Sequence, residues 1–269
     1  MQVKAPRTGR VVAGICLALG ARHALAAPIT MQFAASRDST IFSEDVQSSN
    51  GAGDHLHAGR VARGFERRAL LAFDLGNAVP QDATLISASL RLHVNLIGSP
   101  GDASFSLHRL SSAWGDGSSD NGGRGQGVGA APVDATWNST FFCLPGADWL
   151  TPGGDFASAA SASTMVSGTG HVRWHAHAGT AAGLLADIDT WRSAPAANHG
   201  WLLKEDAALM RSVRRFSFRS SDIADHAPLL TLVYEPARTP VPSPTAGALL
   251  GTLAAVHVLS RARQRLQSR

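Results

Sequence analysis

The densest group of reactive side chains is His171-Val172-Arg173-Trp174-His175-Ala176-His177. Three imidazoles are enough for a zinc site. On a strand the three odd-numbered histidines share one face. At about 3.3 Å per residue, His171 and His175 stand about 13 Å apart and cannot chelate together, whereas His175 and His177, about 7 Å apart, can. Polar, outward-facing histidines are therefore the preferred reading over a metal site. Asp38, Glu44, Asp45 and Asp54 are oxygen donors. A structural calcium ion would need several of them to converge, and solvated loop acids are the simpler expectation. Asp187 and Asp189 project about 200° apart on a helix, so they form no acid–base pair. Tyr234 is the chain's one tyrosine and falls in a strand pattern. Gly122-Gly123-Arg124-Gly125-Gln126-Gly127 lacks the Lys-Ser/Thr of a phosphate-cradling loop. Lyase or hydrolase chemistry needs a carboxylate pair or a poised Tyr/His base in a cleft. None stands out, so the chain reads as non-catalytic, with no cofactor expected.

The remaining chemistry is basic. The chain carries 24 Lys and Arg against 20 Asp and Glu, with a sequence pI near 9.8. A nucleic-acid partner does not follow. Residues 1–27 and 239–269 hold eight of the basic residues and no acid, which leaves residues 28–238 with a formal charge of −4. Binding an acidic partner then requires a local basic patch. Arg60, Arg63, Arg67, Lys204, Arg215 and Arg219 are the candidates, read as outward-facing; solvated strand faces are the competing reading. Cys16 lies in the N-terminal apolar run and Cys143 stands alone beyond it, so no intrachain disulfide is expected once that run is removed.

The elements that position these residues are strands. Ala88, Leu90, Leu92, Val94 and Leu96 alternate with Ser89, Arg91, His93 and Asn95, the period of a half-buried strand. Ala69, Leu71, Phe73 and Leu75 line one face of a second strand, with Arg68 and Asp74 on its other, wet face. Further strands are expected near 29–33, 39–42, 105–110, 171–177, 201–204, 214–220 and 228–235. On the penultimate one, Phe216 and Phe218 point in, and Arg215, Ser217 and Arg219 point out. Leu184, Leu185, Ile188 and Trp191 recur at helical spacing after a candidate cap, Thr180, and predict one short helix ending before Pro195. Gly115–Ala131 holds seven glycines and reads as a flexible surface loop. Hydrophobic content of 44 %, charged content of 16 % and 27 glycines suit a β protein. The expected fold is an all-β antiparallel sandwich of jelly-roll type, with one short helix and long Gly-rich loops.

Several blocks carry a resemblance. Arg67-Arg68-Ala69-Leu70-Leu71-Ala72-Phe73-Asp74-Leu75, the Pro80 loop and Ala88-Ser89-Leu90-Arg91-Leu92 come first. Thr136-Trp137-Asn138 and Trp149-Leu150-Thr151-Pro152-Gly153-Gly154-Asp155-Phe156 follow. Asn198-His199-Gly200-Trp201-Leu202-Leu203-Lys204, Phe218-Arg219-Ser220 and the strand from Pro228 to Tyr234 complete the set. In this order they resemble the DNRLRE-domain family, carbohydrate-binding β-sandwich modules of which some bind alginate. Arg219 matches the arginine of one family motif, and Ser220 stands where that motif has an acid. The resemblance implies a polysaccharide ligand. Tryptophans of the two central boxes can stack on sugar rings or lie buried under the long loop, and burial is the favoured expectation.

The termini read as sorting segments. Met1–Ala27 has a basic start, an apolar run over 11–20 and a small-residue site before Pro28, the pattern of a secretory signal peptide. After the domain (28–238), residues 239–269 place Val241-Pro242-Ser243-Pro244 before an apolar run and Arg261, Arg263 and Arg265. That order resembles PEP-CTERM sorting tags, which processing enzymes of exopolysaccharide-making Gram-negative bacteria act on, with transient membrane association. It implies export to the cell surface or medium. A structural or adhesive surface protein with a protein partner is the competing expectation; the enzyme reading comes last.

Overall fold

The computed structural model describes residues 27–121, 126–178, 183–209, 211–217 and 226–237. The signal-peptide and sorting-tag segments, Thr180, Phe218, Arg219 and Ser220 lie outside the described residues. In chain order the first strands are β1 (Ile29–Ala34), β2 (Arg37–Phe42), β3 (Ser48–Ser49), β4 (His55–Arg60), β5 (Glu66–Ala72) and β6 (Thr84–Ile97). Then come β7 (Ala103–Arg109), β8 (Val128–Gly129), β9 (Ala162–Val166) and β10 (Gly170–His177). Helix α1 (Gly183–Ser193) precedes β11 (Trp201–Glu205), β12 (Arg214–Ser217) and β13 (Leu229–Glu235).

The fold is an all-β, antiparallel, sandwich-like structure built from one curled sheet. One half runs β1-β13-β6-β12-β4, with β10 on the other edge of β6; the second runs β5-β11-β7-β9, with β2 along the free edge of β5. β4 turns the corner. His55–Ala58 pair with β12, and Gly59 and Arg60 pair with β5. Gly59 permits this turn: its φ is +107°, and a Cβ there would meet Ser212 O at 2.9 Å.

The two halves close on a shared core. Leu90, Leu92 and Val94 of β6 and Leu230 and Leu232 of β13 face Ala69 and Leu71 of β5 and Leu203 of β11. Phe105 of β7 meets Phe216 of β12 at 6.1 Å, and the Trp174 indole of β10 donates to Phe105 O at 2.8 Å across the gap. Helix α1 plugs one end with Leu184, Leu185, Ile188 and Trp191, all buried as the helical spacing predicts.

The outer side of β5 corrects the expectation of one wet face. Leu70 and Ala72 there, with Leu202 of β11 and Ile41 of β2, form a second apolar cluster with Leu110, Trp114 and Trp149. Residues of the described stretches 111–121 and 126–161, among them Trp114, Ala135, Trp149 and Phe156, pack over this half and bury it. Arg68 pins that cover. Its guanidinium lies 4.8 Å from the Trp137 ring, donates to Gly153 O at 2.7 Å and meets Glu66 at 2.9 Å. The tryptophan boxes thus close the structure: Trp149 is buried, with its indole donating to Thr136 O, and Trp137 is half-buried. Among the described residues, no helix is long and apolar enough to cross a membrane.

Candidate functional site

The other broad face is the outer side of β10, β6, β13 and β12, whose outward residues are exposed on β10 and half-buried on β6 and on β13 from Leu229 to Val233. Register decides what it carries. On β10, Trp174 and Ala176 point into the core, so His171, Arg173, His175 and His177 point out, and all four are exposed. They stand opposite His93, Arg91, Ser89 and Ser87 of β6. On the other side of β6, Thr231 and Leu229 of β13 are registered to Ser89 and Arg91. Arg215 of β12 continues the face and donates from Nε to Asn95 Oδ1 at 2.9 Å.

Three imidazoles cluster here. His226 stacks on His93 with ring centres 3.4 Å apart and planes within 9°, and His171 approaches the pair edge-on at 5.1 and 5.9 Å. His175 and His177 lie 5.8 Å apart, ring to ring. Parallel stacked rings do not aim their nitrogens at one point. Among the described residues, no group of three or more His, Cys, Asp or Glu is placed to hold a metal ion. The outward residues that β10, β6 from Ser87 to Asn95, β12 at Arg215 and β13 from Leu229 to Val233 bring to this face include no carboxylate. Arg91 and Arg173 face each other across the ladder. This strip, about 25 Å long, the span of an eight-residue strand, gathers basic side chains from three strands.

The sequence-derived arginines divide. Arg67 is not outward-facing: it is 8 % exposed, paired with Glu44 at 2.7 Å and laid over Phe42. Arg60 is half-buried, bonded to Gly64 O at 2.9 Å and to Glu66 at 3.2 Å. Lys204 donates to Glu205 O on the covered half. Arg63 is exposed at the tip of the β4–β5 turn, and Arg219 lies outside the described residues. Among the described candidates, Arg215 is the one on the outer face of β6, β10 and β12. Arg91 and Arg173 were missed as ligand candidates, although their alternation with core residues in two strands was the available signal.

The four loop acids do not converge. Glu44 is taken by Arg67, Asp45 accepts from Gln47 N and Ser48 Oγ, Asp38 is buried beside Asp116, and Asp54 is exposed near His55. Two further histidines sit on the outward side of β4. Burial, reinforced by Arg215 and opposed by Asp54, pulls His55 below the ordinary imidazole range. Burial, then Arg67, His55 and Arg215, pulls His57 down to about 3.

A separate cleft of about 410 Å3 lies against the tryptophan boxes, lined by Asn138, Ser139, Phe142, Asp148 and the edge of Trp149. Asp148 is engaged by Ser139 Oγ at 2.8 Å. The cleft offers little aromatic plate, because Trp149 is buried. No family model matches the chain, and no curated protein matches it.

Proposed function

We propose that this chain is an exported, non-catalytic module that binds an acidic polysaccharide, a polyuronate such as alginate, on the outer face of β6, β10 and β12. The observation that carries the reading is Arg173, exposed on β10, and Arg215, half-buried on β12, on the outer side of the two strands that flank β6, with five exposed or half-buried histidines beside them. Guanidinium forks suit carboxylates, and a strip this long takes several sugar units, which suits a polymer better than a single sugar. The resemblance to DNRLRE-domain proteins, read from sequence blocks, points the same way.

Affinity electrophoresis of the purified chain in gels with alginate or neutral dextran tests it. Retardation in alginate alone is expected, weakening as salt rises above about 0.1 M, where surface charges are screened. Arg173→Ala is expected to weaken binding by about 1–3 kcal/mol, the range for hydrogen bonds to charged groups, with the melting temperature unchanged because Arg173 is exposed. Equal retardation in both gels, or full retardation of Arg173→Ala, removes the reading. Release of reducing ends or unsaturated products from alginate would replace it with an enzyme.

Export rests on the leader-like segment before Pro28 and the tail after residue 238. The mature protein on the cell surface is expected to begin just after Ala27. Mass spectrometry of surface-extracted protein checks this, and an intact Met1 peptide there contradicts it.

A further inference from the structure

The cleft beside the tryptophan boxes takes no part in the binding reading above. Loop residues form it, and neither Arg173 nor Arg215 lines it. Its volume of about 410 Å3 falls within the range of small-ligand sites, about 300–1,000 Å3.

The backbone fixes its walls. Trp149 N donates to Asn138 O at 2.9 Å, and residues Ser139 and Asp148 form an antiparallel bridge. Phe142 is held from both sides: its N donates to Asp134 O at 2.7 Å, and its O accepts from Val133 N at 2.9 Å. Gln47, just before β3, is anchored through its O, which accepts from Ala130 N at 2.8 Å. The side chains on this frame keep unused hydrogen-bonding capacity. Ser139 Oγ donates to Asp148 Oδ1 at 2.8 Å, and Asp148 Oδ2 accepts from no donor among the described residues. The side-chain amides of Asn138 and Gln47 have no hydrogen-bond partner there either. One exposed amide on a loop is ordinary and solvated. Three uncommitted polar side chains lining one concave, backbone-locked cleft, with half-buried Phe142 and Pro152 beside them, make a preorganised polar site with apolar surface.

We infer that this cleft binds a neutral sugar unit through adjacent hydroxyls. The donor and acceptor inventory selects that class. A hydroxyl donates and accepts; Asp148 accepts only, and the two amides each offer a carbonyl oxygen and an NH2 group. A carboxylate ligand would meet Asp148, the one charged residue of the lining, as a like charge. An ammonium would satisfy Asp148 but leave the amide N–H groups without acceptors. An uncharged polyol ring uses both kinds of group, and its C–H faces suit Phe142 and Pro152. The inference is independent of the polyuronate reading: the cleft disfavours the very polymer assigned to the outer face, so the two sites take different sugars.

Isothermal titration of the full chain with glucose, mannose and galactose tests it, with protonated glucosamine as the cationic counterpart. At least one neutral sugar is expected to bind with a Kd on the order of 1 mM, the affinity of a few net hydrogen bonds. Asn138→Ala and Gln47→Ala should each weaken that binding about five- to tenfold, the effect of losing one hydrogen bond. Both side chains are exposed and unbonded, so melts of the two variants should match the parent. No binding of any of the three sugars, or binding that both variants keep in full, overturns the inference. So does a preference for glucosamine over glucose that Asp148→Asn abolishes, which would make the cleft a cation site. Alginate retardation of Asn138→Ala should equal that of the parent. Its absence in the parent would strike the reading of the outer face and leave this one standing.

Discussion

Replacing Trp201 by alanine is expected to destabilise the protein by roughly 3–5 kcal/mol, the cost of emptying a large aromatic site in a packed core. Trp201 is 0 % exposed and is the hinge between the sheet and the helix. Its ring lies 4.5 Å from Trp191 of α1 and 6.0 Å from Phe73 at the end of β5. Its indole N–H donates to Asp187 Oδ2 at 2.7 Å. Asp187 is itself a buried carboxylate, pushed up by desolvation and held down by Ser161, Trp201 and Arg109. The substitution therefore does two things: it opens a cavity under α1 and takes one donor from a buried acid. Most domains are stable by only about 5–15 kcal/mol, so this is a large share of the total. Trp201→Phe keeps most of the volume and loses the donor, so it should cost less. Denaturant melts of both variants measure the difference. Because Trp201 points away from the cationic face, the folded fraction of either variant should bind alginate as before. A melt of Trp201→Ala that matches the parent would show that the helix does not depend on this contact.

Acid should weaken the fold through His57. This imidazole is 4 % exposed, and its Nδ1 has no hydrogen-bond partner among the described residues. Burial and the charges of Arg67, His55 and Arg215 lower its pKa to about 3. In the unfolded chain it titrates near 6.5. Between those values the unfolded state binds a proton that the folded state refuses. The contribution of His57 is thus fully present above about pH 6.5 and declines as pH falls, by about 1.4 kcal/mol per pH unit, until the folded state itself is protonated near 3. Asp187 and Glu205 act in the opposite sense at lower pH: burial raises both, so the fold takes up their protons more readily than the unfolded chain. The clean window is therefore pH 7.5 to 5. Across it, unfolding free energy from urea titrations should fall in the parent and fall less steeply in His57→Gln, where His55, His108 and His199, also lowered first by burial, keep part of the slope. Parent and His57→Gln curves of equal slope from pH 7.5 to 5 would mean that His57 protonates in place. At pH 5.5 the loss is about 1.4 kcal/mol, small enough that ligand binding can be measured on folded protein.

Much of the architecture was legible before any coordinates. Period two in 88–96 and 228–235 identified β6 and β13 and sorted inner from outer residues up to Val94, because a strand with one buried face writes its burial pattern directly into the chain; Leu96, expected inside, is exposed where the pairing with β12 shifts register. The spacing of Leu184, Leu185, Ile188 and Trp191 identified α1 for the corresponding reason at 3.6 residues per turn. β4 was missed: His55-Leu56-His57-Ala58-Gly59-Arg60 has two small residues, two histidines and a positive-φ glycine, which suits a corner and hides the alternation.

What the sequence by itself determined is therefore the class of fold, the elements, and the types of residue available for chemistry. Tertiary structure alone decided which charges are spent and which are offered. Arg67 and Arg215 look alike in sequence, each in an alternating strand. Yet Arg67 meets Glu44 from a segment 23 residues away, and Arg215 joins an open face made by β6 and β10. Likewise Leu70 and Leu202 lie on the outer side of their strands and are buried against Trp114, Ala135 and Trp149 from a distant stretch of chain. Local periodicity records whether a residue has a preferred side. It does not record what the rest of the chain brings to that side, because those partners are set by strand register and loop closure between distant segments.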